Sequence, residues 1–68
     1  MAKWKQDWLN ELNGLENSQL TELLLDMLNG SFWEDEKLRH PSRDNNSRWM
    51  QAKVEDELRL RLDDFLAK

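Results

Sequence analysis

The sequence predicts an all-α fold: a small helical domain of two short helices, a short third helical segment and one long C-terminal helix. Apolar side chains recur every three to four residues in three stretches, which is the spacing of one face of a helix. Both glycines come directly after such a stretch, where helices commonly end. The alternating residues 58–62 lie inside a longer helical pattern, so no strand is predicted.

The first predicted helix runs from about Ala2 to Asn13. Its apolar face is formed by residues four apart in the sequence, namely Trp4, Trp8 and Leu12, with Leu9 beside them. Gly14 is expected to end the helix, because glycine readily adopts the left-handed conformation found after a last helical turn. Leu15 is then expected to fold back onto the helix as the hydrophobic contact of this cap.

The second predicted helix begins at Asn17 or Ser18, either of which is a suitable N-terminal cap, and it ends before Gly30. Its broad apolar face consists of Leu20, Leu23, Leu24, Met27 and Leu28, Leu25 extends that face, and the segment is the most apolar part of the chain. We therefore expect this helix to be the most deeply buried part of the protein.

The short third segment is predicted to begin at Ser31, three residues before Glu34, which is the spacing of a capping box. Its acidic residues come first and its basic residues last, as the helix dipole favours. Pro41 disfavours the helical conformation at the preceding residue, so the segment is expected to end at His40.

The long C-terminal helix is predicted from about Asp44 to Ala67, with its N-terminal cap at Ser42, Asp44 or Asn45. One face carries six apolar side chains, Met50, Val54, Leu58, Leu62, Phe65 and Leu66. Because this helix is the longest, we expect the first two helices to pack on it and to cover the whole face. Two ion pairs are predicted along it between residues four apart, Glu55 with Arg59 and Glu57 with Arg61.

The four tryptophans divide between predicted core and predicted surface. Trp8 and Trp33 are expected in the core because their neighbours are apolar. Trp49 lies on a second, thinner apolar line of the long helix, together with Leu60 and Ala67. The third segment or another chain covers this line, and the sequence does not decide between them.

The 68 residues are predicted to form one domain, residues 1–68, close to the lower size limit for a self-sufficient core. The chain has no cysteine and one histidine, so disulfides, thiolate zinc sites and multi-histidine metal sites are not available to stabilise it. Unusually good helix packing or self-association remains to compensate, and self-association as a homodimer is favoured. No apolar run exceeds three residues, so neither a membrane span nor a secretory signal is predicted, and a cytoplasmic location is the default expectation.

The connector 37–48 is the most basic part of an acidic chain. Its four basic residues Lys37, Arg39, Arg43 and Arg48 and its one acid Asp44 give +3, against −4 for the whole chain, and it also contains His40. Arginines with aromatic residues nearby can bind phosphates, carboxylates or stacked bases. A solvated loop that balances the acidic helices has the same composition, and this second interpretation is favoured.

No catalytic, cofactor-binding or metal-binding residue is predicted. Ser18, Ser31 and Ser42 are accounted for by predicted helix starts, and the sequence has no glycine-rich phosphate loop. The carboxylates in the runs 34–36 and 55–57 point about 100° apart on a helix, so they diverge rather than converge on a cation. We therefore expect no enzyme activity and no cofactor.

These features predict a small helical protein–protein interaction module: a self-associating regulator, inhibitor or assembly adaptor of a larger protein. The candidate partner-binding residues are Trp33, Arg39, His40, Arg43, Arg48, Trp49 and Leu60. The dimer is expected to form through Trp49 and Leu60, whereas loss of Leu58 from the main face is expected to unfold the chain. The alternative is a nucleic-acid-associated protein that contacts phosphates through the connector 37–48. It is disfavoured because such domains usually have a net positive charge or a large basic face.

Overall fold

Four α-helices make up the part of the chain that the computed structural model describes, which is residues 3–39 and 46–67, with side chains described for 3–36 and 46–67. The helices are α1 (Lys3–Gly14), α2 (Asn17–Asn29), α3 (Ser31–Arg39) and α4 (Ser47–Leu66). No strand occurs in the described residues, and the predicted all-α class with a long C-terminal helix is confirmed.

Both α1 and α2 pack against the long helix α4. α1 runs beside α4 in the same direction, with Trp4 on Trp49 at a ring-centroid distance of 5.7 Å. Further along, Trp8 Nε1 donates a hydrogen bond to the Met50 carbonyl oxygen at 3.3 Å. α2 begins beside Arg61 of α4 and runs back in the opposite direction, and α3 packs on α2.

Six apolar side chains form the buried core of the described residues, and each exposes at most 5% of its surface. They are Trp8, Leu12, Leu20, Met27, Met50 and Val54. α3 adds Phe32, whose ring centroid lies 5.9 Å from that of Trp8, and Trp33, whose ring lies 4.8 Å from Phe32. The predicted core position of Trp8 is confirmed, whereas Trp33 is half-buried at the edge of the core.

The apolar face of α2 is only partly covered. Leu20 and Met27 are buried, but Leu25 and Leu28 are more than half exposed. α2 contributes two buried residues, no more than α1 or α4, so the prediction that it is the most deeply buried helix is wrong. Its face is wider than the strip that α3 and α4 can cover from one side.

The two glycines differ in conformation, although the sequence predicts the same role for both. Gly30 follows α2 with φ 91°, the left-handed conformation expected of a helix C-cap. Gly14 is the last residue of α1 and does not have a positive φ, so the predicted glycine cap there is wrong. The Leu15 N–H instead donates to the Leu12 carbonyl oxygen at 3.2 Å, a tight turn that needs no left-handed residue.

The cap of α2 is Glu16 rather than Asn17 or Ser18. The Glu16 N–H donates to Gln19 Oε1 at 2.8 Å as part of a capping box. Asn17 already lies in the helix, where its side-chain oxygen accepts a hydrogen bond from Arg61. The residue that the sequence predicts as a cap therefore connects two helices.

α3 begins at Ser31 as predicted, but the capping of its first turn and the start of α4 differ from the predictions. Asn29 Oδ1 accepts hydrogen bonds from the Ser31 N–H at 2.9 Å and the Ser31 hydroxyl at 2.6 Å. The predicted box of Ser31 with Glu34 is wrong, because the serine hydroxyl donates backwards to this asparagine. α4 begins at Ser47 after Asn46, later than predicted. The cap is Asn46, and the predicted caps at 42, 44 and 45, like the predicted end of α3 at 40, lie outside the described residues.

Alanine substitutions at the two glycines are expected to change stability in opposite directions. Gly14→Ala should raise the free energy of unfolding by about 0.4–1 kcal/mol, because alanine restricts the unfolded chain and its Cβ would meet nothing within 4 Å. Gly30→Ala should lower it by about 1 kcal/mol, because alanine is strained at φ 91°. Thermal unfolding followed by circular dichroism measures both, and effects of the same sign would contradict the two backbone conformations.

Candidate interaction surface at the C-terminal end of α4

Arg61 lies where α4 leaves the rest of the domain. Its guanidinium donates to the carbonyl oxygens of Leu12 and Asn13 at 3.3 Å each and to Asn17 Oδ1 at 2.9 Å. These acceptors lie at the end of α1 and the start of α2, so the corner between those helices lies beside Arg61. α4 continues to Leu66, which places about 7 Å of helix beyond this corner.

The hydrogen bonds of Arg61 have a clear physical basis. The last carbonyl groups of a helix have no partner within it, and a cation at that end is favoured by the helix dipole. Arg61 Nε also donates to Glu57 Oε1 at 3.1 Å, which confirms this predicted ion pair. The other predicted pair is not formed: Glu55 accepts a hydrogen bond from Gln51 at 3.5 Å, and no ion pair joins it to Arg59 among the described side chains.

An apolar surface follows on the part of α4 beyond this corner. Leu62, Phe65 and Leu66 expose 55%, 72% and 70% of their surface. We call these three residues and the half-buried Leu58 the overhang face. A groove of about 310 Å³ lies beside it, lined by Asn17, Leu58, Arg61, Leu62 and Phe65. The prediction that α1 and α2 cover all six apolar residues is therefore wrong for the last three.

The overhang face exists because the covering helices are too short. α1 and α2 have 12 and 13 residues and are about 18 to 20 Å long, whereas α4 has 20 residues and is about 30 Å long. Met50 and Val54 are buried under α1 and α2, and Leu58 lies at the border. Because α1 ends and α2 begins beside Arg61, neither helix reaches the last turn of α4.

The second predicted apolar line of α4 is split between two environments. Trp49 packs edge-on against Trp4 and is half-buried, so α1 covers it rather than the third segment. The ammonium groups of Lys5 and Lys53 lie 5.0 and 5.6 Å from the centre of the Trp49 ring, within the range of cation–π attraction. Leu60 is exposed, about 160° around the helix from Leu62.

Two of the remaining predicted partner-binding residues, Trp33 and Arg48, lie near the other end of α4. Trp33 is held by a hydrogen bond from its Nε1 to the Met27 carbonyl oxygen at 3.0 Å. It shares a polar groove of about 350 Å³ with the exposed Arg48, so the structure brings these two residues together. His40 and Arg43 lie outside the described residues, and so does the side chain of Arg39, although its backbone ends α3.

Comparison with other proteins does not assign the chain to a family. No protein-family model, no curated protein and no solved structure matches the chain. None of the helices in residues 3–39 and 46–67 has the length and apolar character needed to cross a membrane. In the same residues, no three or more histidine, aspartate or glutamate side chains cluster in a way that could hold a metal ion.

Proposed function

We propose that the protein is a small helical protein–protein interaction module and that the overhang face binds its partner. The observation that carries this proposal is the exposure of Leu62, Phe65 and Leu66 together at one end of α4. Single exposed leucines are common on protein surfaces and need no explanation. A contiguous apolar patch beside a groove is typical of a surface that another molecule covers.

The shape and chemistry of this surface favour another α-helix as the bound segment. The groove is apolar along α4, and its polar edge is formed by Asn17 and Arg61. An amphipathic helix can place its apolar side chains in a groove of this kind and keep its polar side chains in water. Phe65 is the expected anchor, because it is the most exposed of these residues and aromatic side chains are enriched in interface cores.

The charges near the overhang face favour a protein over a nucleic acid. Asp63 is exposed beside it and would repel phosphates. Arg48, at the end of the basic connector, lies 14 residues before Leu62, which is about 21 Å along the helix axis. A protein bound at the overhang face and a nucleic acid bound at the basic connector would therefore lie at opposite ends of α4. A protein-binding surface at the overhang face suits a regulator, inhibitor or assembly adaptor of a larger protein. Such a role requires no catalytic group.

A photo-crosslinking amino acid at position 65 is expected to join the chain to a protein when the variant is made in its native cells and irradiated. The matched control is position 60, because Leu60 is 63% exposed but points away from the overhang face. A third variant, at position 48, reports on the basic connector. We expect protein adducts, identified by mass spectrometry, in much higher yield at 65 than at 60.

The same experiment has two outcomes that would overturn the proposal. Nucleic-acid adducts at position 48 without protein adducts at 65 would favour the basic connector as the binding surface. Equal yields of protein adducts at positions 65 and 60 would show that the overhang face is no more engaged than an ordinary exposed part of the helix.

A further inference from the structure

We infer that the helix bound at the overhang face is α4 of a second copy of the chain, packed antiparallel about a two-fold axis near Leu62. This inference rests on the proposed function of the overhang face and names its partner. In this arrangement each copy covers the exposed Leu62, Phe65 and Leu66 of the other. The contact differs from the dimer that the sequence predicts, which uses Trp49 and Leu60.

The charges beside the overhang face favour the antiparallel direction. At about 100° per residue, Arg59 and Asp63 lie about 60° and 100° from Leu62 in the same sense, so they share one flank of the face. Both are exposed. When two helices pack antiparallel about a two-fold axis, a flank of one helix faces the same flank of the other, and the two chains run in opposite directions. Arg59 of one copy then lies opposite Asp63 of the other, and this pairing occurs twice.

A parallel pair does not offer these contacts. The flank with Arg59 would meet the opposite flank, which carries Glu57 and Arg61. These two already bond to each other, and Arg61 also bonds to the corner of α1 and α2. The two sets of covering helices would also lie side by side at the same end. In the antiparallel pair they lie at opposite ends, and each overhang reaches the groove beside Leu58 of the other copy.

The size of this contact predicts a weak dimer. It involves about nine residues of each α4, residues 58–66, whereas stable specific complexes bury roughly 800 Å² on each partner. We therefore expect a dissociation constant on the order of 10 μM. The chain should be dimeric when concentrated and should dissociate on dilution.

Size exclusion with light scattering is expected to give twice the monomer mass of 8.2 kDa at about 200 μM, with dissociation on dilution. Leu62→Glu should weaken the dimer about 100-fold or more, because two-fold symmetry places the new charge in the contact twice. Leu60→Glu is the matched control, since it makes the same change at a similarly exposed leucine on the other side of α4. It should alter the dissociation constant by no more than about twofold. Circular dichroism checks that both variants are folded.

Charge reversal tests the direction of the two helices. Arg59→Asp alone and Asp63→Arg alone each place like charges opposite one another twice, so each should raise the dissociation constant about tenfold. The double variant restores the opposite charges with their signs exchanged and should return to within about threefold of the original value. Asp63→Arg makes the net charge of −4 less negative, so its weakening could not come from general repulsion.

Three results would overturn the inference. A monomer mass at all concentrations up to about 500 μM would remove the second copy as the partner. Dissociation by Leu60→Glu but not by Leu62→Glu would assign the contact to the apolar line that contains Leu60. Failure of the double charge reversal to recover would exclude the antiparallel pairing of Arg59 with Asp63. Crosslinks from position 65 to a different protein, with a monomer in solution, would overturn the second copy while supporting the proposed function.

Discussion

Replacement of Leu20 by alanine is expected to lower the free energy of unfolding by about 3–5 kcal/mol. Leu20 is 0% exposed and is one of the six core side chains in the described part of the chain. The substitution removes the transfer free energy of its methyl groups and leaves a cavity that the remaining core cannot fill. A domain of this size has a total stability of about 3–10 kcal/mol, so a large share of the variant should be unfolded at room temperature.

Leu25→Ala is the matched control for this prediction. Leu25 lies five residues later in the same helix and is 57% exposed, so the same chemical change should cost less than about 1 kcal/mol. Denaturant unfolding at equal protein concentration measures both variants. Similar losses for Leu20 and Leu25 would contradict the burial of the one and the exposure of the other.

These two leucines show what periodicity can and cannot predict. The spacing in α2 correctly predicts a helix, and the glycine at position 30 correctly predicts its end. It does not predict which leucines of a broad apolar face are buried, because that depends on where α3 and α4 lie. Leu20 faces the core and Leu25 faces water, as their separation of about 140° around the helix allows, but Leu28 lies within the predicted face and is nevertheless 63% exposed.

The overhang face could have been predicted from the lengths of the predicted helices. A first helix over residues 2–13 is half as long as a final helix over residues 44–67, so it cannot cover the whole of it. The periodic face of α4 was instead expected to be buried from end to end, with Leu58 at its centre. The structure places Leu58 at the edge of the covered part, where it is half-buried. Its substitution should therefore cost less than that of Leu20.

The role of Arg61 could not be predicted from local sequence. Its spacing from Glu57 predicts one ion pair within α4, and that pair is present. Its hydrogen bonds to Leu12 and Asn13 join residues almost fifty positions apart. They exist because α1 ends beside this turn of α4, which is a consequence of the packing of whole helices.

Arg61→Met is expected to lower the free energy of unfolding by about 2 kcal/mol. Methionine keeps much of the aliphatic side chain, so the loss reports the hydrogen bonds of the guanidinium to Leu12, Asn13 and Asn17 together with its ion pair with Glu57. The backbone carbonyl groups at the end of α1 would lose a charged donor at a half-buried site. The midpoint of thermal unfolding should fall by about 8–16 °C.

Two further variants separate the geometry of Arg61 from its charge. Arg61→Lys keeps the charge, but a single ammonium group cannot reproduce the fork that reaches four acceptors, so at least half of the loss should remain. Arg59→Met removes an exposed arginine two residues away and should cost less than about 0.5 kcal/mol. A lysine variant as stable as the original would show that a point charge is sufficient. Equal effects of Arg61→Met and Arg59→Met would show that the connection from α4 to α1 and α2 contributes no stability. The overhang face would then have to be positioned beside that corner by contacts other than those of Arg61.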